Sequence, residues 1–182
     1  RAESVKMAAE LTPTIGREDA RMIVVHSLRG GTGCSSLAVN LALGLQGLWK
    51  GSTILIDLTM MAGQVALMLN ASLRRTWADV ARYSPSELDG DVLNSIISRH
   101  ESGLDFIAAP TLPTEADTIK IETLSEAMGL IKKRYDYVVA DLPHDFHEIT
   151  LQALDLADLI LMVASPDMAS VRASAAALDT FK

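Results

Sequence analysis

The stretch Leu28-Arg29-Gly30-Gly31-Thr32-Gly33-Cys34-Ser35-Ser36 concentrates glycines and hydroxyls between two apolar runs. Before it lies Met22-Ile23-Val24-Val25-His26, short and rich in β-branched residues, which reads as a buried strand. After it lies Leu37-Ala38-Val39-Asn40-Leu41-Ala42-Leu43-Gly44-Leu45, apolar almost all round and long enough for a buried helix. A glycine turn between a strand and a helix start lets backbone N–H groups face inward, and the helix start adds unpaired donors and partial positive charge. That is phosphate-binding chemistry. Ser35 then places a hydroxyl where it can reach a magnesium ion. A phosphate loop ordinarily carries Lys immediately before that hydroxyl. Here the position is Cys34.

The remaining candidates are carboxylates at strand ends. Asp57 closes Ser52-Thr53-Ile54-Leu55-Ile56-Asp57, and Asp141 closes Tyr137-Val138-Val139-Ala140-Asp141. In open α/β sheets ligands bind at the carboxyl ends of the strands. Asp57 has a second reading, as a strand-end residue that hydrogen-bonds the phosphate-loop backbone.

The elements alternate. Thr76–Tyr83 reads as a short helix, and Ser86-Glu87-Leu88 opens another, carried by Val92, Ile96 and Ile97. Leu104–Pro110 is a strand stopped by proline. Residues 111–121 form a loop with a short acidic element. A helix follows on the stripe Leu124, Ala127, Met128 and Ile131, ending in Lys132-Lys133-Arg134, cations well placed at a helix C-terminus. After the Tyr137–Asp141 strand come a helix over Glu148–Ala157, a strand over Leu159–Ala164 and a helix over Ala169–Phe181. Strands alternating with helices imply an α/β fold, a mostly parallel sheet with helices on both faces. Residues 1–20 read as a linker or chain edge, and 21–182 as one domain.

Composition narrows the function. The chain has a formal net charge of −7 and 49% hydrophobic residues, which argues against a binder relying on broad positive charge for nucleic acid. No apolar run approaches the ~20 residues of a membrane span. One cysteine excludes an internal disulfide framework and, with no secretory signal, suits the cytoplasm. The sequence begins at Arg1 and reaches Lys182 inside a helical pattern, so it reads as a fragment.

In its motif order the chain resembles the ParA/MinD family of deviant P-loop ATPases. Arg29–Ser36 looks like that family's Lys-Gly-Gly-x-Gly-Lys-Thr/Ser-Thr/Ser loop. Ile54–Thr59 followed by Gly63-Gln64-Val65-Ala66-Leu67-Met68-Leu69 looks like its second strand and switch I, and Tyr135–Pro143 like its Walker B strand. The run after switch I is most similar to the CpaE/TadZ pilus-assembly branch, in which a receiver-like domain often lies upstream. The resemblance implies that ATP and magnesium are the ligands. It places Arg29, Gly30, Gly31, Thr32, Gly33, Cys34, Ser35, Ser36 and Asp57 around the nucleotide, and Ser35 and Asp141 on magnesium, the latter through water. It implies a homodimer across the nucleotide, with pilus-assembly proteins as partners and possible recruitment to a cell pole or a membrane machine. The family's adenine-reading Asn lies on a later strand.

Three positions depart from the family pattern. Arg29 stands where the signature Lys reaches the partner's nucleotide, and a planar guanidinium is not a neutral replacement. Cys34 removes a charge-assisted bond worth roughly 1.5–3 kcal/mol, about 10- to 150-fold in affinity. Thr59 replaces the carboxylate that in the family orients the attacking water, and one lost transition-state group typically costs on the order of 10²–10³ in rate. The expected function is therefore a degenerate nucleotide-binding scaffold with weak or absent ATP binding and little hydrolysis. The alternatives are a slow dimerising ATPase that uses Arg29, or a partition or positioning ATPase. Cys34 itself reads either as a thiol with lowered pKa, a redox switch, or as a small residue closing an idle pocket. With no second cysteine to resolve a sulfenic acid, the latter is favoured. His144 and His147 invite a metal reading, but no third ligand cluster accompanies them, and an exposed loop is favoured. Met60 and Met61 read either as an adaptable surface or as buried under switch I.

Overall fold

The computed structural model describes residues 19–49 and 51–180. The proposed linker falls mostly on residues 1–18, outside the described part. Six strands form one sheet in the order β3-β4-β2-β5-β1-β6. They are β1 (Arg21–His26), β2 (Thr53–Asp57), β3 (Ser98–Arg99), β4 (Asp105–Ile107), β5 (Tyr137–Asp141) and β6 (Leu159–Met162). Every pairing is parallel except β3 against β4. The helices are α1 (Cys34–Leu48), α2 (Val65–Met68), α3 (Gly90–Ile96), α4 (Pro113–Ala116), α5 (Ile121–Arg134), α6 (Glu148–Asp155) and α7 (Met168–Thr180).

The central strands are apolar throughout because both faces of the sheet are covered. Side-chain alternation divides them between two cores. Met22, Val24, Ile54, Ile56, Val138 and Ala140 join Leu124, Ala127, Met128 and Ile131 of α5. Ile23, Val25, Leu55, Tyr137 and Val139 join Ala38, Val39, Ala42 and Leu45 of α1. Helix α1 is less buried than its apolar sequence suggests, with Leu37 40% and Leu48 82% exposed, so only one stripe faces the sheet.

Some local elements differ from the sequence reading. The Thr76–Tyr83 segment is a 3-10 helix, Trp77–Arg82, capped by the Thr76 hydroxyl and the Asp79 carboxylate. The helix expected to open at Ser86 is two pieces: a 3-10 turn at Pro85–Glu87 and α3, whose first amides bond to the Asp89 carboxylate. Strand β3 has no alternation to betray it in two residues. It is held by a tight turn in which Gly103 takes a φ of +87°.

The basic end of α5 is used internally as well as at the helix terminus. Lys132 Nζ donates to the Leu156 carbonyl at 2.8 Å and lies 3.7 Å from Asp158. No described helix is long and apolar enough to cross a membrane.

Candidate nucleotide site

Register builds the site. Asp57 and Asp141 are direct partners across β2 and β5, and Val25 lies opposite Asp141 on β1. Both carboxylates continue the alternation of Leu55 and Val139, so they face the α1 side from neighbouring strands whose backbones lie about 4.8 Å apart. Both residues are fully buried. The loop from β1 to α1 rises over that face. Gly31 and Gly33 take φ of +79° and +96°, a region in which side-chain-bearing residues are strained. Gly33 is also the N-cap of α1, which has no side-chain cap and no acidic residue in its first turn. The initial amides of the helix are thus left for a ligand, and nothing there repels an anion.

The carboxylates are electrostatically tense. Burial and the neighbouring Asp141 charge push Asp57 up to about 7, although amides of the following loop oppose the rise. Asp57 accepts hydrogen bonds from Thr59 N–H at 3.0 Å and Val65 N–H at 3.2 Å. Its backbone partners are therefore in the switch I stretch, not in the phosphate loop as one sequence reading had it. Burial also raises Asp141. Both its oxygens are buried without a hydrogen-bond partner; the Ser35 hydroxyl favours its charge without closing a bond of ordinary geometry. Two buried carboxylates on adjacent strands, one of them bare, beside the Ser35 hydroxyl offer oxygen donors of the kind a hard divalent cation takes.

Among the described residues no lysine or arginine is paired with either carboxylate. In the phosphate loop, Cys34 is 3% exposed, with its sulfur 3.5 Å from the Thr32 hydroxyl. Burial pushes the thiol up from its usual range, which removes the basis for a reactive thiolate. Arg29 turns away to form an ion pair with Asp167. Asp167 also accepts from Ser170 N–H at 3.0 Å, at the start of α7. Sequence reading missed this partner, although Asp167 is recognisable as a cap ahead of an alanine-rich helix.

His144 was also underread. It is exposed, but Nδ1 donates to the Ser27 carbonyl at 2.8 Å and the ring lies beside Gly30. The loop after β5 is thereby tied to the phosphate loop. Its neighbour Asp145 accepts from His147 N–H at 2.9 Å and the Thr150 hydroxyl at 3.0 Å, opening α6. The two methionines divide: Met60 is buried and Met61 is 63% exposed.

Gly63 is required by contact, not by φ. A β-carbon there would collide with the Asp57 carboxylate and the Ala109 side chain. A Gly63→Ala variant is therefore expected to lose about 1–3 kcal/mol by overpacking, read as a fall of roughly 3–10 °C in Tm. An unchanged Tm would show that the loop can move aside.

Sheet order, glycine loop and paired strand-end carboxylates define a P-loop nucleotide-binding domain of the ParA/MinD class. Residues 20–182 match the family model described as cellulose biosynthesis protein BcsQ, and the chain belongs to that family within the ParA/MinD P-loop ATPases. A ParA family protein of Chlamydia muridarum is 31% identical over 161 residues, covering 84% of this chain and 61% of the relative. The chain thus spans about three fifths of that relative's length. Among solved structures, a ParA family ATPase from Chlorobium tepidum superposes with a TM-score of 0.81 at 22% identity, over 88% of this chain and 67% of that one. The septum site-determining protein MinD of Pyrococcus horikoshii, complexed with Mg-ADP, gives 0.72 at 19%, over 88% and 65%. These two likenesses establish the fold.

Proposed function

We propose that the chain is a nucleotide-held scaffold of the ParA/MinD type, able to cradle Mg-ATP but not to turn it over at a useful rate. One observation supports this reading: Cys34, where the family pattern has Lys, is a buried thiol whose pKa is raised by burial. The loop amides and the first turn of α1 would hold the phosphates. Ser35 would hold magnesium directly and Asp141 through water, with Asp57 beside them. The Mg-ADP bound to the Pyrococcus MinD supports the choice of ligand. Magnesium would neutralise phosphate charge, leaving the chain's own groups to bind and orient. A slow ATPase driven by Arg29 has less support, because that guanidinium is engaged by Asp167 in the single chain.

The scaffold would dimerise across the nucleotide face, with Arg29 and the Thr59–Gly63 loop at the seam. By resemblance to the CpaE/TadZ branch it would serve a pilus-assembly machine at a cell pole. The family description favours a second reading, a machine of cellulose biosynthesis. Loss of pili or loss of exopolysaccharide on deletion of the gene separates the two.

Calorimetry with Mg-ATP, paired with a phosphate-release assay, tests the scaffold reading. The expected outcome is saturable, weak binding with turnover at background. Turnover above background that Arg29→Ala abolishes would overturn it in favour of the enzyme.

A further inference from the structure

A second cavity lies at the opposite edge of the sheet from the phosphate loop. It measures about 660 Å³ and opens between the loop after α2 and the β3–β4 hairpin. Strand β3 is four strand spacings from β1, about 19 Å, so this is a separate place on the molecule. In an acidic chain, its walls are basic: Arg74, Arg75, Arg99 and His100, over a floor where the buried Leu69 and Phe106 close the core. Glu101 is the one acidic residue in the lining.

The positive charge there is in surplus. Arg74 is exposed and has no ion pair among the described residues. Asp79 is shared by Arg75 and Arg82 at 3.7 Å each, so one carboxylate faces two guanidiniums. Arg99 is oriented in advance. Its Nε and Nη2 donate to the two oxygens of Asp105 at 2.8 and 3.2 Å, and Asp105 also accepts from the buried Tyr135 hydroxyl at 2.9 Å. That chain fixes the guanidinium plane while the side chain stays 71% exposed, with Nη1 outside the fork. A planar, fixed arginine with Nη1 outside its carboxylate fork, beside an exposed arginine, is suited to phosphate oxygens, and its face suits a ring. The volume falls in the range of small-molecule sites.

The geometry points to a second ligand site, one that takes a small phosphorylated molecule of nucleotide size without needing magnesium. The arginines bind its phosphate oxygens, with Nη1 of Arg99 and the exposed Arg74 as donors. The site adjoins α2, so its occupant touches the segment that follows switch I.

The test uses the ¹⁵N-labelled chain in EDTA, titrated separately with inorganic pyrophosphate and with adenosine 5′-monophosphate. Amides of residues 72–75 and 98–101 are expected to shift saturably with at least one probe. Arg74→Glu, at an exposed side chain, is expected to weaken that binding about tenfold or more with Tm unchanged. Shifts confined to Gly30–Ser36 would overturn the proposal by assigning phosphate to the known loop alone. So would an Arg74→Glu variant of undiminished affinity. Failure of both probes at millimolar concentration would also overturn it, including the case in which short duplex DNA or an acidic peptide binds instead. None of these outcomes depends on whether Mg-ATP binds at the phosphate loop.

Discussion

A Cys34→Lys variant is expected to bind Mg-ATP about 10- to 150-fold more tightly than the parent, the worth of one charge-assisted bond to phosphate. The structure gives this substitution an unusual advantage. A lysine introduced into a buried site normally lacks a partner, but here it would enter near Asp57 and Asp141, two buried carboxylates that no described lysine or arginine pairs. Its ammonium would be paired before nucleotide arrives, and Asp57 would fall from about 7 toward the ordinary carboxylate range. Its stem must rise from under the loop, where the thiol now touches the Thr32 hydroxyl. Adding Thr59→Asp would restore the other charge missing from the family pattern. Thr59 is only half-buried and its N–H already bonds to Asp57, so the backbone there is fixed while the side chain has room. The double variant is expected to hydrolyse ATP at least about 100-fold faster than the parent, with effects that need not multiply because the groups act as a unit. Calorimetry reads the first effect and phosphate release the second. Tighter binding without faster hydrolysis would mean that dimerisation supplies something these two residues do not. A Cys34→Lys chain of parental affinity would show that the loop, not its charge, is at fault.

The sequence was most legible where periodicity and register coincide. Buried strands such as Met22–His26 and Tyr137–Asp141 announce themselves as apolar runs, and their parallel pairing brings Asp57 and Asp141 together without further information. The glycine loop was equally legible, because Gly31 and Gly33 occupy backbone conformations that other residues resist. What escaped was set by tertiary neighbours. Nothing local tells that Arg29 finds Asp167, 138 residues away, or that His144 reaches the Ser27 carbonyl. The pKa of Cys34 was open for the same reason: a helix start lowers a thiol's pKa and burial raises it, and only the structure says that burial wins. The basic cavity was hidden because its arginines come from two segments and each looks like an ordinary surface residue.

The carboxylate pair also sets an expectation for stability. An acid whose folded pKa is raised costs the folded state nothing below its unfolded pKa, and an increasing amount as pH climbs toward the folded value. For Asp57 the window runs from about 4 to about 7, and the full cost is at most on the order of 4 kcal/mol. Asp141 adds to it, since its two oxygens are buried without a partner. Replacing Asp141 with Asn removes one buried charge and the Coulomb repulsion that raises Asp57, while losing no hydrogen bond of ordinary geometry. The Asp141→Asn chain is expected to gain about 1–3 kcal/mol at pH 8 in urea unfolding, and to gain less at pH 5. His26 works in the opposite direction. Buried against Phe146, with neither ring nitrogen in a hydrogen bond of ordinary geometry, it has a pKa lowered by burial, so its contribution is lost as pH falls below about 6.5. It is present in both chains, and the difference between their pH profiles cancels it. Magnesium supplies the decisive contrast, since a cation that neutralises the pair should raise the stability of the parent and leave Asp141→Asn nearly unmoved. Equal stabilisation of both chains by magnesium would place the ion elsewhere. A variant less stable than the parent at pH 8 would show that the Ser35 hydroxyl satisfies Asp141 better than its geometry indicates.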